Sequence, residues 1–153
     1  MNLQNAKIIF CDLDGVLANF EKGVEKICGK PPNDLKSSIM WRTINSTPGF
    51  FENLEWMPDA KELWENIKQY DPIILTGIPN ENKQIERQKK KWCERELGAD
   101  IRVITCKTSE KPNYCEKGSI LIDDRTINKE EWIKNGGVFI HHLSTKETLQ
   151  LLQ

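Results

Sequence analysis

The sequence lacks a surplus of charge of either sign, and this absence limits what it is expected to bind. Among its 153 residues are 22 basic and 23 acidic side chains, which give a formal net charge of −1. Proteins that bind nucleic acid or anionic membranes by long-range attraction usually carry a strong basic surplus. The composition therefore gives no sign of nucleic-acid or membrane binding, and any charged partner has to be held locally.

Paired cysteines and long apolar runs are missing as well. The five cysteines are scattered, and none belongs to a C-x-x-C pair of the kind found in zinc sites and redox motifs. We interpret them as reduced thiols, which are typical of the cytoplasm. No apolar run approaches the roughly 20 residues of a membrane helix. We therefore expect a soluble, cytoplasmic protein with a single domain over residues 1–153.

Short apolar runs alternate with segments of helical pattern along the chain. The predicted strands are Ile8–Cys11, Ile73–Leu75, Ile101–Thr105, Ser119–Ile122 and Val138–Ile140. Nearly continuous apolar strands of this kind are buried on both sides. Strands that alternate with helices form a parallel sheet. The sequence therefore predicts an α/β fold, with a Rossmann-like parallel sheet that has helices on both faces.

Helical segments are predicted between the strands. One begins at Pro58 and ends near Tyr70, one covers Asn80–Leu97, and shorter ones begin after Asn128 and Ser144. The segment from Lys36 to Met57 has a mixed pattern and receives no assignment. The helix over Asn80–Leu97 carries a basic series interleaved with glutamates, which favours a solvated face. That series is Lys83, Arg87, Lys89, Lys90, Lys91 and Arg95.

Acidic and hydroxyl side chains come directly after three of the predicted strands. Asp12 and Asp14 follow the first strand, Thr76 follows the second, and Asp123 follows the fourth. In a parallel sheet these positions meet at the edge where ligands bind. An oxygen-only set of side chains, without histidine or cysteine, favours Mg²⁺ over softer metals. The sequence therefore predicts a magnesium site at that edge.

A carboxylate beside a magnesium ion indicates phosphoryl transfer. Asp12 could attack phosphorus, and Asp14 could donate and then accept the proton. The Thr76 hydroxyl, the Gly77 backbone N–H and one lysine would hold the phosphoryl oxygens.

Two lysines precede Asp123 at workable distances, Lys107 and Lys111. A phosphate site needs one cation nearby. We prefer Lys111, because it opens the Lys-Pro-Asn-Tyr segment that leads into the fourth strand. Lys107 stays open as the alternative.

The order of these residues resembles the four sequence motifs of the haloacid dehalogenase superfamily. The motifs are Asp-Leu-Asp-Gly-Val-Leu from Asp12, an apolar run with Thr76, a lysine, and Ile-Asp-Asp ending at Asp124. The segment 50–58, Phe-Phe-Glu-Asn-Leu-Glu-Trp-Met-Pro, further resembles the 5'(3')-deoxyribonucleotidases of that superfamily. The resemblance implies that Asp12 is the nucleophile. It also implies that Mg²⁺ is bound by the Asp12 and Asp123 side chains and the Asp14 backbone carbonyl, which leaves the Asp14 carboxylate free to move protons.

The resemblance also implies an architecture and a substrate. A small helical cap, about residues 16–57, would be inserted into a core of about residues 1–15 and 58–153. The expected activity is that of a 5'-nucleotidase acting on (deoxy)nucleoside monophosphates. Two alternatives stay open: the same chemistry on a sugar phosphate or a nucleic-acid end, and a non-catalytic module that binds phosphate. The oligomeric state is not predicted.

The aromatic residues of the insertion have two interpretations. They could stack on a base, but rings in a small insertion more often form its core against the main domain. We expect the core role for them. They are Trp41, Phe50, Phe51 and Trp56.

Overall fold

The computed structural model describes residues 3–153, so Met1 and Asn2 of the predicted domain lie outside the described residues. Within that range, five strands form one parallel sheet in the order β3-β2-β1-β4-β5. They are β1 (Ile9–Cys11), β2 (Ile73–Gly77), β3 (Val103–Cys106), β4 (Ile120–Asp123) and β5 (Val138–His141). The predicted strands and their parallel arrangement are confirmed, with bounds that differ by one or two residues.

Six α-helices accompany the sheet in the described part of the chain. They are α1 (Phe20–Cys28), α2 (Ser37–Asn45), α3 (Ala60–Ile67), α4 (Lys83–Leu97), α5 (Lys129–Lys134) and α6 (Thr145–Leu152). Helices α1 and α2 lie in the insertion after β1. The mixed pattern of the segment from Lys36 to Met57 concealed α2. None of the helices in residues 3–153 is long and apolar enough to cross a membrane.

Alternate residues of each strand pack on opposite faces of the sheet, as the pleat requires. Ile9 and Cys11 belong to a core with the buried residues of α3, α4 and α6. Phe10 points to the other face and packs edge-on against Trp132 of α5, with ring centroids 5.5 Å apart. Helices therefore cover both faces, as the α/β prediction requires.

Helix α3 begins two residues later than the sequence suggests. Pro58 and Asp59 form a turn, and the helix starts at Ala60. The Asp59 carboxylate makes no capping hydrogen bond, because it accepts one from the Thr145 backbone N–H at 2.7 Å. This contact joins the start of α3 to the start of α6.

Helix α4 begins at Lys83 rather than at Asn80. Asn80 has a positive φ of 47°, which interrupts the helical backbone. The Asn82 side chain accepts hydrogen bonds from the Gln84 and Ile85 backbone N–H groups and caps the helix there. At α5 the predicted cap residue, Asn128, is correctly placed, but its side chain donates to the Thr108 carbonyl instead.

The insertion leaves and rejoins the core through two paired segments, residues 17–19 and 55–57, which form a stalk. The Asn19 N–H donates to the Glu55 carbonyl, and the Met57 N–H donates to the Leu17 carbonyl, both at 2.7 Å. Above this stalk, Phe50 and Phe51 are buried with ring centroids 5.0 Å apart, as expected for core residues. Trp41 is only partly buried and packs against Phe51.

Candidate active site

Two buried aspartates and a buried lysine meet at the carboxyl edge of the central strands. Asp12 follows β1 directly, and Asp123 is the last residue of β4. The Lys111 Nζ lies 3.0 Å from Asp12 Oδ1 and 2.9 Å from Asp123 Oδ2. Lys107 is exposed, so the structure brings Lys111 into the site and leaves Lys107 outside it.

A third carboxylate, that of Asp124, completes an acidic cluster with Asp12 and Asp123. One oxygen of each lies within 4.8 Å of the others. Gly15 makes room for Asp124, since a Cβ at Gly15 would lie 2.1 Å from Asp124 Oδ2. Gly15 also has a φ of +85°, which L side chains rarely adopt. The predicted set of metal ligands did not include Asp124.

The cluster holds more negative charge than Lys111 neutralises. Burial, followed by the charge of Asp12, raises the pKa of Asp124 to about 8. The same two causes raise the pKa of Asp123 to about 6, although Lys111 opposes the rise. Burial would also raise the pKa of Asp12, but the charge and hydrogen bond of Lys111 outweigh it and lower that pKa. A proton or a cation is therefore needed to balance the site.

The donor set fits Mg²⁺. All candidate ligands are carboxylate oxygens, which this hard cation prefers. Asp124 Oδ1 is buried without a hydrogen-bond partner among residues 3–153, and a cation would satisfy it. Of the predicted ligands, Asp12 and Asp123 come together, whereas the Asp14 carboxylate lies outside this cluster.

Asp14 is held by a different lysine, Lys89 of α4. The Lys89 Nζ lies 2.7 Å from Asp14 Oδ2, 3.1 Å from Thr76 Oγ1 and 2.7 Å from the Gly77 carbonyl oxygen. Its side chain is 4% exposed. The prediction that Lys89 lies on a solvated face is therefore wrong.

The error on Lys89 has a physical reason. The alternating charges of α4 conceal a second pattern, because Ile85, Lys89 and Trp92 follow at i, i+4 and i+7 and lie on one helix face. That face packs on the core, and all three residues are buried. The spacing was the signal that could have identified Lys89.

The predicted phosphate-binding residues lie beside Asp14. Thr76 is buried near the end of β2, and Gly77 follows it. A Cβ at Gly77 would lie 2.3 Å from Thr108 Oγ1, so the glycine admits a hydroxyl that the sequence did not single out. Thr108 lines the same cavity as Thr76 and Gly77.

A cavity of about 510 Å³ opens above these groups. Asp12, Asp14 and Asp123 line it together with both buried lysines. The insertion contributes an aromatic wall that includes Phe20, Trp41 and Phe51. The site therefore combines charged groups with an aromatic wall.

The sheet order, the strand-end carboxylates and the helical insertion define a haloacid dehalogenase-like α/β fold. The structure is similar to that of a Had-superfamily hydrolase from Ehrlichia chaffeensis, with a TM-score of 0.59. The alignment covers 99% of this chain and 97% of that one at 12% identity, so the similarity concerns the fold. The resemblance predicted from the motifs is confirmed at this level.

Among curated proteins, the chain is similar to one from Vibrio phage KVP40 named "Putative 5'(3')-deoxyribonucleotidase". The two are 28% identical over 123 residues, which cover 79% of this chain and 68% of the phage protein. A Frankia alni protein named elongation factor Ts is 34% identical over 86 residues, but the chain covers only 39% of its length. No protein-family model matches the chain.

Proposed function

We propose that this chain is a magnesium-dependent phosphatase that hydrolyses a phosphate monoester through a phosphorylated Asp12. The observation that carries the proposal is the placement of two carboxylates one residue apart, each held by its own buried lysine. Asp12 lies in the acidic cluster with Lys111, and Asp14 lies outside it with Lys89. Two carboxylates in different surroundings suit two different tasks.

The proposed reaction has two steps. An Asp12 carboxylate oxygen forms a bond to phosphorus while the bond from phosphorus to the leaving oxygen breaks, and Asp14 gives that oxygen its proton. Water then attacks the same phosphorus and gives a proton to Asp14. The bond to Asp12 breaks, and inorganic phosphate leaves.

The other residues hold the phosphoryl group. The Thr76 hydroxyl, the Gly77 N–H and the Lys111 ammonium would bind the oxygens whose charge changes in the transition state. Mg²⁺, when bound by the Asp12 and Asp123 carboxylates and the Asp14 backbone carbonyl, supplies further charge neutralisation. Asp124 lies beside these ligands as an additional oxygen donor.

Replacing Asp12 with Asn tests the assignment of the nucleophile. We expect the variant to release no phosphate from p-nitrophenyl phosphate in the presence of Mg²⁺ and to keep the circular dichroism spectrum of the wild-type protein, because the amide has the same shape. Turnover by the folded variant would contradict the proposal. An absence of turnover by the wild-type protein on every phosphate ester would favour a phosphate-binding module instead.

The substrate we propose is a (deoxy)nucleoside monophosphate. The name of the phage relative and the aromatic wall of the cavity support this choice. In this proposal, residues 16–57 form the cap and residues 1–15 and 58–153 the core of a single cytoplasmic domain. Values of kcat/KM for nucleotides, sugar phosphates and a 5'-phosphorylated oligonucleotide would test the substrate. A higher value for either of the last two would contradict it.

A further inference from the structure

Lys89 has a use for each of its three N–H donors. The ammonium donates to the Asp14 carboxylate, the Thr76 hydroxyl oxygen and the Gly77 carbonyl. An ammonium that is fully occupied in this way has no donor left for a phosphoryl oxygen. Lys89 therefore differs from Lys111, which donates to the carboxylates of Asp12 and Asp123.

The contact with Asp14 distinguishes the two oxygens of that carboxylate. Oδ2 is held by Lys89, whereas Oδ1 is buried and has no hydrogen-bond partner within the described chain. One oxygen is thus held by the protein, which fixes the rotamer of the carboxylate. A held rotamer matters here, because proton transfer requires the acid to lie within hydrogen-bonding reach of the leaving oxygen.

The contact with Thr76 orients a hydroxyl group. The Thr76 Oγ1 accepts the hydrogen bond from Lys89, since an ammonium can only donate. The hydroxyl proton of Thr76 is therefore directed away from Lys89 and is left for another acceptor. A phosphoryl oxygen in the cavity that Thr76 lines is an acceptor of the right kind.

The insertion covers Lys89 with an aromatic ring. The Phe51 ring centroid lies 5.0 Å from Nζ, within the range of a cation–π contact. The Phe51 backbone N–H is held in turn by Gln88 Oε1 at 2.8 Å, on the residue next to Lys89. With Lys89 only 3% exposed, its contact with Asp14 is shielded from water. A shielded ion pair holds its geometry more firmly than an exposed one.

We propose that Lys89 is a positioning residue that acts through Asp14 and Thr76, with Phe51 as its cover. The inference rests on the proposed phosphatase function and extends it by one residue. Lys89 fixes the acid that protonates the leaving group and aims the Thr76 hydroxyl at the phosphoryl group. Phe51 contributes by excluding water from Lys89.

The dependence on the leaving group tests this role. Nitrophenolate leaves readily without a proton, whereas an alkoxide needs one, and general acids contribute roughly 10²–10⁴-fold. We expect Lys89→Met to lower kcat/KM at least tenfold more for an alkyl phosphate than for p-nitrophenyl phosphate. Lys90→Met, an exposed neighbour on α4, should leave both values unchanged. Equal losses on the two substrates would overturn the proposal, because a general loss of structure affects both alike.

A double-mutant cycle with Asp14→Asn separates positioning from an independent effect. Because the route through Asp14 is already lost in Asp14→Asn, adding Lys89→Met should lower kcat/KM for the alkyl ester by no more than Lys89→Met alone lowers it for p-nitrophenyl phosphate. Full additivity of the two losses would contradict the proposal. Activity retained by Asp12→Asn would instead contradict the phosphatase mechanism, so the two failures are distinguishable.

A second pair of variants covers the case in which Lys89→Met does not fold. Lys89→Gln keeps a donor for Asp14 and should retain part of the activity on the alkyl ester. Phe51→Leu leaves Lys89 in place but admits water. It should lower the ratio of kcat/KM for the alkyl phosphate to kcat/KM for p-nitrophenyl phosphate, as Lys89→Met does. An unchanged ratio in Phe51→Leu, together with wild-type activity in Lys89→Gln, would contradict the proposal.

Discussion

Asp12 and Asp14 are separated by one residue, yet their carboxylates lie in different surroundings. Asp12 shares Lys111 with Asp123, and Asp14 pairs with Lys89. A pair of acids on one strand end is usually expected to serve one ligand together. The two lysines divide them, and in the proposed mechanism this division allows one to attack and the other to move protons.

Gly15 is predicted to be required by the acidic cluster and not only by the backbone. Gly15→Ala and Gly29→Ala both place a side chain at positive φ, at +85° and +76°, which costs about 1–2 kcal/mol in each. Only at Gly15 would the new methyl group meet Asp124; nothing lies within 4 Å at Gly29. We expect kcat/KM to fall about tenfold or more in Gly15→Ala and to stay unchanged in Gly29→Ala. Equal activity in the two variants would contradict a role for Gly15 in the site.

The raised pKa of Asp124 predicts a pH-dependent cost in stability. Its folded pKa of about 8 lies above its unfolded value of 3.8, so the folded state binds more protons between these limits. The resulting cost is absent below pH 4 and grows as the pH rises towards 8. In a chelator, Asp124→Asn should therefore raise the free energy of unfolding at pH 8 by about 1 kcal/mol relative to the wild type. The gain should shrink at pH 5, as measured by urea unfolding. A larger gain at pH 5 than at pH 8 would contradict the raised pKa of Asp124.

Helix α4 joins the candidate site to the insertion. Its buried face carries Lys89, and neighbouring side chains hold the return segment Phe51–Leu54 by its backbone. Gln88 accepts from the Phe51 N–H, Trp92 donates to the Leu54 carbonyl at 2.8 Å, and Arg95 donates to the Glu52 carbonyl at 2.7 Å. Three side-chain contacts on consecutive turns fix this segment to the core.

Trp92→Phe tests how firmly the return segment is held. The change removes the indole N–H and leaves the buried Leu54 carbonyl unpaired, which costs about 1–3 kcal/mol in addition to the lost ring volume. Amide exchange in residues 51–57 should become faster. Trp56→Phe is the matched control, because Trp56 is partly exposed and packs against Trp92, and its indole makes no hydrogen bond within residues 3–153. Similar destabilisation and exchange in the two variants would contradict the contact's importance.

The strand ends were predictable because their signal is local. Asp12, Thr76 and Asp123 each end an apolar run, and parallel strands must bring such ends together. Lys89 and Asp124 depend on three-dimensional facts instead. The burial of Lys89 is decided by which face of α4 meets the core, and the place of Asp124 by the missing Cβ of Gly15.

The helix starts show the same limit. Residues 80–97 have a helical composition, but the Asn82 cap delays the start of α4 to Lys83. Asp59 could have capped α3 and bonds to Thr145 instead, a partner 86 residues away. A local sequence pattern gives no information about such a distant partner.

Taken as a whole, the molecule places its insertion over the charged edge of the sheet. Gly15 and the Met57–Pro58 junction are the expected hinges if this insertion moves. The stalk beneath is tied by the two backbone hydrogen bonds between residues 17–19 and 55–57. Helix α1 begins directly after Asn19, so the middle of the insertion, which includes the start of α2, lies farthest from these ties along the chain.

Binding of Mg²⁺ should stabilise the whole fold. Three carboxylates that repel one another in the folded state would gain a shared cation, so the melting temperature should rise by about 5 °C at saturating Mg²⁺ and pH 8. The rise should be smaller at pH 5, where protons compete for the same oxygens. Asp123→Asn should abolish it, whereas Glu130→Gln, at an exposed acid, should not. A rise that persists in Asp123→Asn would place the ion elsewhere.

Detection of the phosphorylated intermediate tests the proposed mechanism most directly. Asp14→Asn lacks the group that is proposed to activate water, so the intermediate should accumulate when this variant is mixed with Mg²⁺ and p-nitrophenyl phosphate. After an acid quench and digestion, mass spectrometry should find phosphate on the peptide that contains Asp12, and hydroxylamine should remove it. The Asp12→Asn, Asp14→Asn double variant should carry none. Two results would contradict Asp12 as the nucleophile. One is that the wild-type protein releases nitrophenol but the Asp14→Asn variant carries no phosphate on that peptide. The other is that the double variant carries phosphate.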